Sequence, residues 1–112
     1  MSEEERLRLK LILERLNQIS AWTANLDQNQ FLADSMVRDA VAMSLLVVGE
    51  TARRLEEETR RRAPEVPWNA ITSLRNRIAH GYETVDHRLV WQIVRHDLPG
   101  LSSEINRLMS PP

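Results

Sequence analysis

Ala40-Val41-Ala42-Met43-Ser44-Leu45-Leu46-Val47-Val48-Gly49 is the longest apolar run in a chain of 112 residues, and its reading decides the fold. It lies within a longer segment in which Phe31, Met36, Val37, Ala40, Val41, Ser44, Leu45, Val48, Ala52 and Leu55 recur at helical spacing. That spacing predicts a helix from about Gln30 or Asp34 to about Arg60. Between Ala40 and Val48 the helix is apolar nearly all round, so it must be covered on more than one side. In so small a chain the expected second cover is another subunit; the alternative is burial by the helix's own neighbours. Ala40, Ala42, Ser44 and Gly49 are small enough to let a second helix come close. The run is too short to span a membrane.

Working outward, Ser2-Glu3-Glu4-Glu5 is a capping-box pattern that starts a first helix with acids at its positive end. Leu9, Ile12, Leu13, Leu16 and Ile19 form its apolar stripe, widened by Leu7 and Leu11. Asp27-Gln28-Asn29 reads as a polar turn. On the other side, Pro64 and Pro67 exclude a continuous helix, and Pro67-Trp68-Asn69 opens a third one. Trp68, Ile71, Leu74 and Ile78 give that helix a buried side. Trp68 and Trp91 read as core anchors; the competing reading is a pair of base-stacking platforms. After a connector capped by Thr84 or Asp86, Leu89, Val90, Ile93 and Val94 mark a fourth helix. Asp97-Leu98-Pro99 should kink or restart it, Leu101, Ile105 and Leu108 continue it, and Ser110 to Pro112 is a frayed end. The expectation is one domain over residues 1–112: an all-α, up-and-down four-helix bundle with a kinked or broken last helix, homodimeric.

Composition narrows the chemistry. There is no cysteine, which removes disulfides, thiolate metal sites and cysteine nucleophiles. Residues 2–10 are dominated by Glu and Arg, so no signal peptide is visible and the expected location is the cytoplasm. Net charge is −1, but Arg53 to Arg95 holds nine arginines against six acids. Arginine's planar fork suits phosphate, although the same excess could simply fill solvated helix faces. The only lysine is Lys10, and no Gly-rich phosphate loop is present, which argues against nucleotide hydrolysis. His80, His87 and His96 lack metal-ligand spacing, and no serine sits in a nucleophile elbow. No metal and no cofactor is expected.

The polar residues concentrate in Leu74-Arg75-Asn76-Arg77-Ile78-Ala79-His80-Gly81-Tyr82. A fixed cation and an imidazole are the two functions needed to cleave a phosphodiester without a metal. RNA's own 2′-hydroxyl can be the nucleophile. Arg75 and His80 are the candidate catalytic pair, with Asn76, Arg77 and Glu50 in support. On one ideal helix that pair stands about 140° apart. The two converge if His80-Gly81 ends the helix with Gly81 in a left-handed C-cap, or if a two-fold partner supplies a second copy. Glu50 either pairs with Arg53 or Arg54, or orients a catalytic Arg or His across a cleft.

Arg-Asn-x-x-x-His-x-Tyr, following Pro-x-x-Pro-Trp and preceding Val-Trp-x-Ile-Val-x-x-Asp-Leu-Pro, resembles the HepT-like toxins of the HEPN ribonuclease superfamily. Arg-Asp-Ala at 38–40 and Val-Gly-Glu at 48–50 extend the likeness over most of the chain. The resemblance implies a helical homodimer that cuts RNA (tRNA or mRNA) and is silenced by a cognate minimal nucleotidyltransferase antitoxin. It further implies that Tyr82 is the modified residue, its phenol taking AMP from ATP. The phosphate so attached is expected within reach of Arg75 and Arg77. A reading from another class keeps Arg75 and His80 as a nucleotide pocket in a non-catalytic subunit of a nucleotidyltransferase.

Overall fold

A computed structural model describes residues 1–111, and within them every regular element is helical. Helix α1 spans Glu3–Thr23 and starts where Ser2 Oγ accepts from the Glu5 N–H at 3.1 Å. Leu9, Ile12, Leu16 and Ile19 face the core, while Leu7 and Leu11 are exposed rather than widening the stripe. The expected turn at 27–29 is instead the start of a short helix. Asp27 and Gln30 close a capping box, and α2 runs Gln28–Ala33. Asp34 then caps α3, Ser35–Arg54, the central helix.

The long second helix of the sequence reading is therefore three pieces. Helix α3 stops at Arg54, with Leu55 extended and turned into the core, and α4 occupies Glu57–Arg61. No proline or glycine causes this break. Its cause is Glu5, 1% exposed, whose carboxylate accepts the Glu56 N–H at 2.8 Å and pairs with Arg8 at 2.9 Å. An acid on α1 thus satisfies the start of α4, supplying the partner a helix's first N–H groups require. Burial alone would raise the Glu5 pKa. The bonds from Thr59, the Glu56 N–H and Arg8 outweigh it and hold the carboxyl below its usual range.

Helix α5, Trp68–His80, follows the proline loop as expected, and Asp86, not Thr84, caps α6, His87–Gln92. The last helix is broken where the sequence placed a kink or restart: a new helix begins at Leu98, with Asp97 before it and Pro99 in its first turn. Residues Ile93–Asp97 form one widened π turn leading into α7, Leu98–Met109, and the Asp97 side chain caps nothing. Pro99 has no N–H to give, and a widened turn accommodates its ring. Arg95 steadies the corner by donating to the carbonyls of Thr23 and Leu26 while lying 4.4 Å over the Trp91 ring. Trp91 is buried against Phe31, ring centres 5.1 Å apart. Pro112, the end of the expected frayed tail, lies outside the described residues. No helix among the described residues is long and apolar enough to cross a membrane.

The run that opened the reading is sided rather than uniformly covered. Val41, Ala42, Ser44, Leu45 and Val48 are buried, whereas Met43, and Met36 two turns before it on the same helix, are 57% and 83% exposed. Gly49 marks the closest approach of α3 to α5. A Cβ there would lie 2.3 Å from Arg75 Cβ and 3.2 Å from the Ile71 carbonyl oxygen. Neither is the loose end of a flexible side chain, so the helices would have to part. Gly49→Ala should therefore destabilise the fold by roughly 1–3 kcal/mol, despite alanine's better helix propensity. Thermal unfolding checks this; a melting temperature at or above wild type would contradict the tight crossing.

Candidate active site

The close crossing at Gly49 positions the next residue, Glu50, opposite Arg75. Arg75 Nε lies 3.1 Å from Glu50 Oε2, a charge pair without hydrogen-bond alignment. Glu50 Oε1 accepts from Arg53 Nη2 at 2.7 Å and has Arg54 Nη2 at 3.4 Å. The Arg53 hydrogen bond holds the Glu50 carboxyl below its usual range, and the charges of Arg53, Arg75 and Arg54 add to this against partial burial. Glu50 pairs with the arginines of its own helix and also lies against Arg75 across on α5.

Arg75 Nη1 donates to Asn76 Oδ1 at 3.0 Å. Asn76 is one step of about 100° around the helix, on the way to His80. The guanidinium is thus flanked by the Glu50 carboxylate and the Asn76 amide. His80 ends α5 and is exposed. It lines a shallow cavity of about 400 Å³ with Arg77, Gly81, Thr84, Val85 and Leu89. Within one chain, then, Glu50, Arg75 and Asn76 form one connected group, and His80 and Arg77 form another around the helix. Gly81 does end the helix, its N–H donating to the Arg77 carbonyl at 3.1 Å, but at φ −167° it is extended rather than left-handed. Glycine suits this position because a Cβ would lie 2.9 Å from Thr84 Oγ1, the hydroxyl that donates back to the Gly81 carbonyl at 2.7 Å.

Tyr82 opens a single 3-10 turn, Tyr82–Thr84, and its hydroxyl donates to Asp39 Oδ1 near the start of α3. The His87 ring meets it edge-on, centres 5.6 Å apart. Burial first, then the bond and charge of Asp39, push the phenol up to about 12, with Arg38 opposing. Burial also lowers the His87 pKa, helped by Arg38 and opposed by Asp39 and Asp86; its Nδ1 has no partner among the described residues. Sequence reasoning gave Arg38, Asp39 and His87 no role. The signal was there: Asp39 precedes Glu50 by eleven residues, which returns it to the same face of α3 about 16 Å away. Arg75 is at the Glu50 end, so a phosphate on Tyr82 Oη in this rotamer would meet Arg38, not Arg75.

Tyr82 is the chain's one tyrosine, so its ionisation can be read without ambiguity. A folded pKa above the ordinary value near 10 means the neutral phenol is favoured. The associated stability is present below pH 10 and is lost as pH rises through 10 toward 12. Ultraviolet titration of phenolate should give a midpoint near 12, falling toward 10 in Asp39→Asn. A wild-type midpoint near 10 would contradict the burial and the Asp39 contact.

Among the described residues the chain is an all-helical domain whose candidate site residues fall on two crossing helices, Glu50 on α3 and Arg75 and His80 on α5. A family model described as ribonuclease HepT-like matches residues 12–108. The chain belongs to that family and is a ribonuclease of the HepT-like type. It is 36% identical to "Putative RNase MJ1380" of Methanocaldococcus jannaschii, covering 84% of this chain and 86% of that protein. It is 30% identical to "Probable ribonuclease HepT" of Thermococcus cleftensis, covering 89% of this chain and 91% of that one. No solved structure matches the chain.

Proposed function

We propose that this chain is the toxin half of a toxin–antitoxin pair, a metal-independent endoribonuclease working by acid–base chemistry at Arg75 and His80. The observation that supports the reading is Arg75 set against Glu50 through Nε and bonded through Nη1 to Asn76, on the helix that ends at His80. That grip leaves Nη2 free for a phosphate oxygen. The 2′-hydroxyl oxygen attacks the adjacent phosphorus and the P–O5′ bond breaks, giving a 2′,3′-cyclic phosphate and a 5′-hydroxyl. His80 accepts the 2′ proton, and Arg75 stabilises the charge that grows on the phosphorane oxygens. The leaving oxygen needs a proton from a second acid. A two-fold dimer would supply another His80, and exposed Met36 and Met43 offer an apolar stripe on α3 for such a contact.

Regulation follows on the same face. A cognate nucleotidyltransferase would pass AMP from ATP to the Tyr82 phenol, with pyrophosphate leaving. The ester has no proton to donate, so the bond to Asp39 would go, and a phosphate would stand between Asp39 and Arg38. The connector that follows His80 would be displaced, and the adenosine would obstruct the cleft. The reading is tested by purified protein acting on single-stranded RNA in excess chelator, with sedimentation reporting the dimer. Cleavage by the dimer is expected; intact RNA, or a stable monomer at micromolar concentration, would overturn the corresponding part.

A further inference from the structure

Away from Tyr82, beyond Glu50, the end of α3, helix α4 and the first half of α5 enclose an open groove of about 550 Å³. Its walls include Arg53, Arg60, Trp68, Asn69, Thr72 and Ser73. Asn69, Ser73, Asn76 and His80 recur at i, i+4, i+7 and i+11, so one polar stripe of α5 runs from this groove to the histidine, over about 16 Å. All four are exposed. The charge along the way is positive. Glu50 is one carboxylate among the guanidiniums of Arg53, Arg54 and Arg75, and Glu57 at the groove is matched by Arg61 at 2.9 Å. Among the described residues no carboxylate ion-pairs with Arg60; its Nη1 reaches only the Arg53 carbonyl at 3.4 Å.

Trp68 makes the groove more than a basic patch. Its Nε1 donates to the Arg60 and Ala63 carbonyls at 3.2 and 3.1 Å, which fixes the ring as a rigid, half-buried wall. A fixed aromatic face beside two arginines matches the needs of single-stranded nucleic acid, where bases stack and cations track the backbone. Apolar cover by another protein fits less well, because apart from Ala52 the groove's remaining groups are an amide, two hydroxyls and the Glu57 carboxylate already paired with Arg61.

We propose that this groove is a binding subsite for single-stranded RNA, a few nucleotides along the strand from the bond cut at Arg75 and His80. Arg53 and Arg60 hold phosphates, Trp68 stacks a base, and Ser73 and Asn69 line the path between. This rests on the proposed ribonuclease centre, and it makes long single strands better substrates than dinucleotides.

The experiment measures anisotropy of a labelled mixed-sequence oligoribonucleotide, a dozen residues long, with the His80→Ala protein, which binds without cutting. Arg60→Gln is added because it breaks no ion pair, and Ser73→Glu because it places a negative charge in the path at an exposed position. Both should weaken binding several-fold. Arg60→Gln should also lower the slope of log affinity against log salt by about 0.7, the value for one phosphate contact on a single strand. In the active protein the same changes should raise KM for the long RNA and leave dinucleotide cleavage unchanged. Wild-type affinity and slope in both variants would overturn the subsite while leaving the centre standing. Unaltered RNA affinity with altered sedimentation would make the groove a protein interface instead. No RNA binding or cleavage by the parent protein would remove the subsite and the proposed centre together.

Discussion

Tyr82→Phe should remain an active ribonuclease, yet escape its nucleotidyltransferase completely. In the proposed mechanism the phenol neither moves the 2′ proton nor holds the phosphate, so its loss should spare the chemistry. What is lost is the hydrogen bond to the Asp39 carboxylate, whose removal costs about 1.5–3 kcal/mol. The ring itself still packs against the core and meets His87 edge-on. Modification, by contrast, needs the oxygen and is all or none. Intact-mass analysis after co-expression with the cognate nucleotidyltransferase should show added AMP on wild type and none on the phenylalanine form. A variant modified and neutralised like wild type would mean that another residue is the acceptor.

Arg75→Ala and His80→Ala should each abolish toxicity while leaving helicity and sedimentation unchanged. Loss of a general acid–base group typically slows reaction by about 10²–10⁴-fold, and loss of one positioned oxyanion donor by about 10²–10³-fold. Folding should survive for a local reason in each case. His80 is exposed at a helix end. Removing Arg75 leaves Glu50 still bound by Arg53 at 2.7 Å and near Arg54 at 3.4 Å, so no buried carboxylate is stranded. Circular dichroism would separate this outcome from simple unfolding.

Helix placement was legible wherever the code is local. The Ser2 cap, the stripe from Leu9 to Ile19, the proline loop and the end of α5 at His80 all follow from spacing and capping chemistry within a few residues. The candidate site was legible as a motif for the same reason, since Arg75, Asn76, Arg77, His80 and Tyr82 are close in sequence. What escaped was set by distant partners. The break at Leu55 depends on Glu5, fifty residues earlier, reaching the Glu56 N–H. The seat for Arg75 depends on Gly49 having no Cβ, which only the helix crossing reveals. Tyr82's partner Asp39 is 43 residues away, and pairing along α3 by i and i+11 becomes informative only once the facing helix is known. The widened turn at 93–97 shows a further limit: Asp97-Leu98-Pro99 marked the restart at Leu98, but no local signal foretold the π turn that precedes it.

RNA cleavage by this chain should depend on His80 above any other residue. The measurement that tests it most directly is the cleavage rate of one single-stranded RNA, in excess chelator, by purified wild type and by His80→Ala. Wild type should cut without added metal, leaving a 2′,3′-cyclic phosphate and a 5′-hydroxyl, and the variant should be slower by about 10²–10⁴-fold. Equal rates for the two proteins, or wild-type cleavage that appears only when a divalent metal is restored, would contradict it.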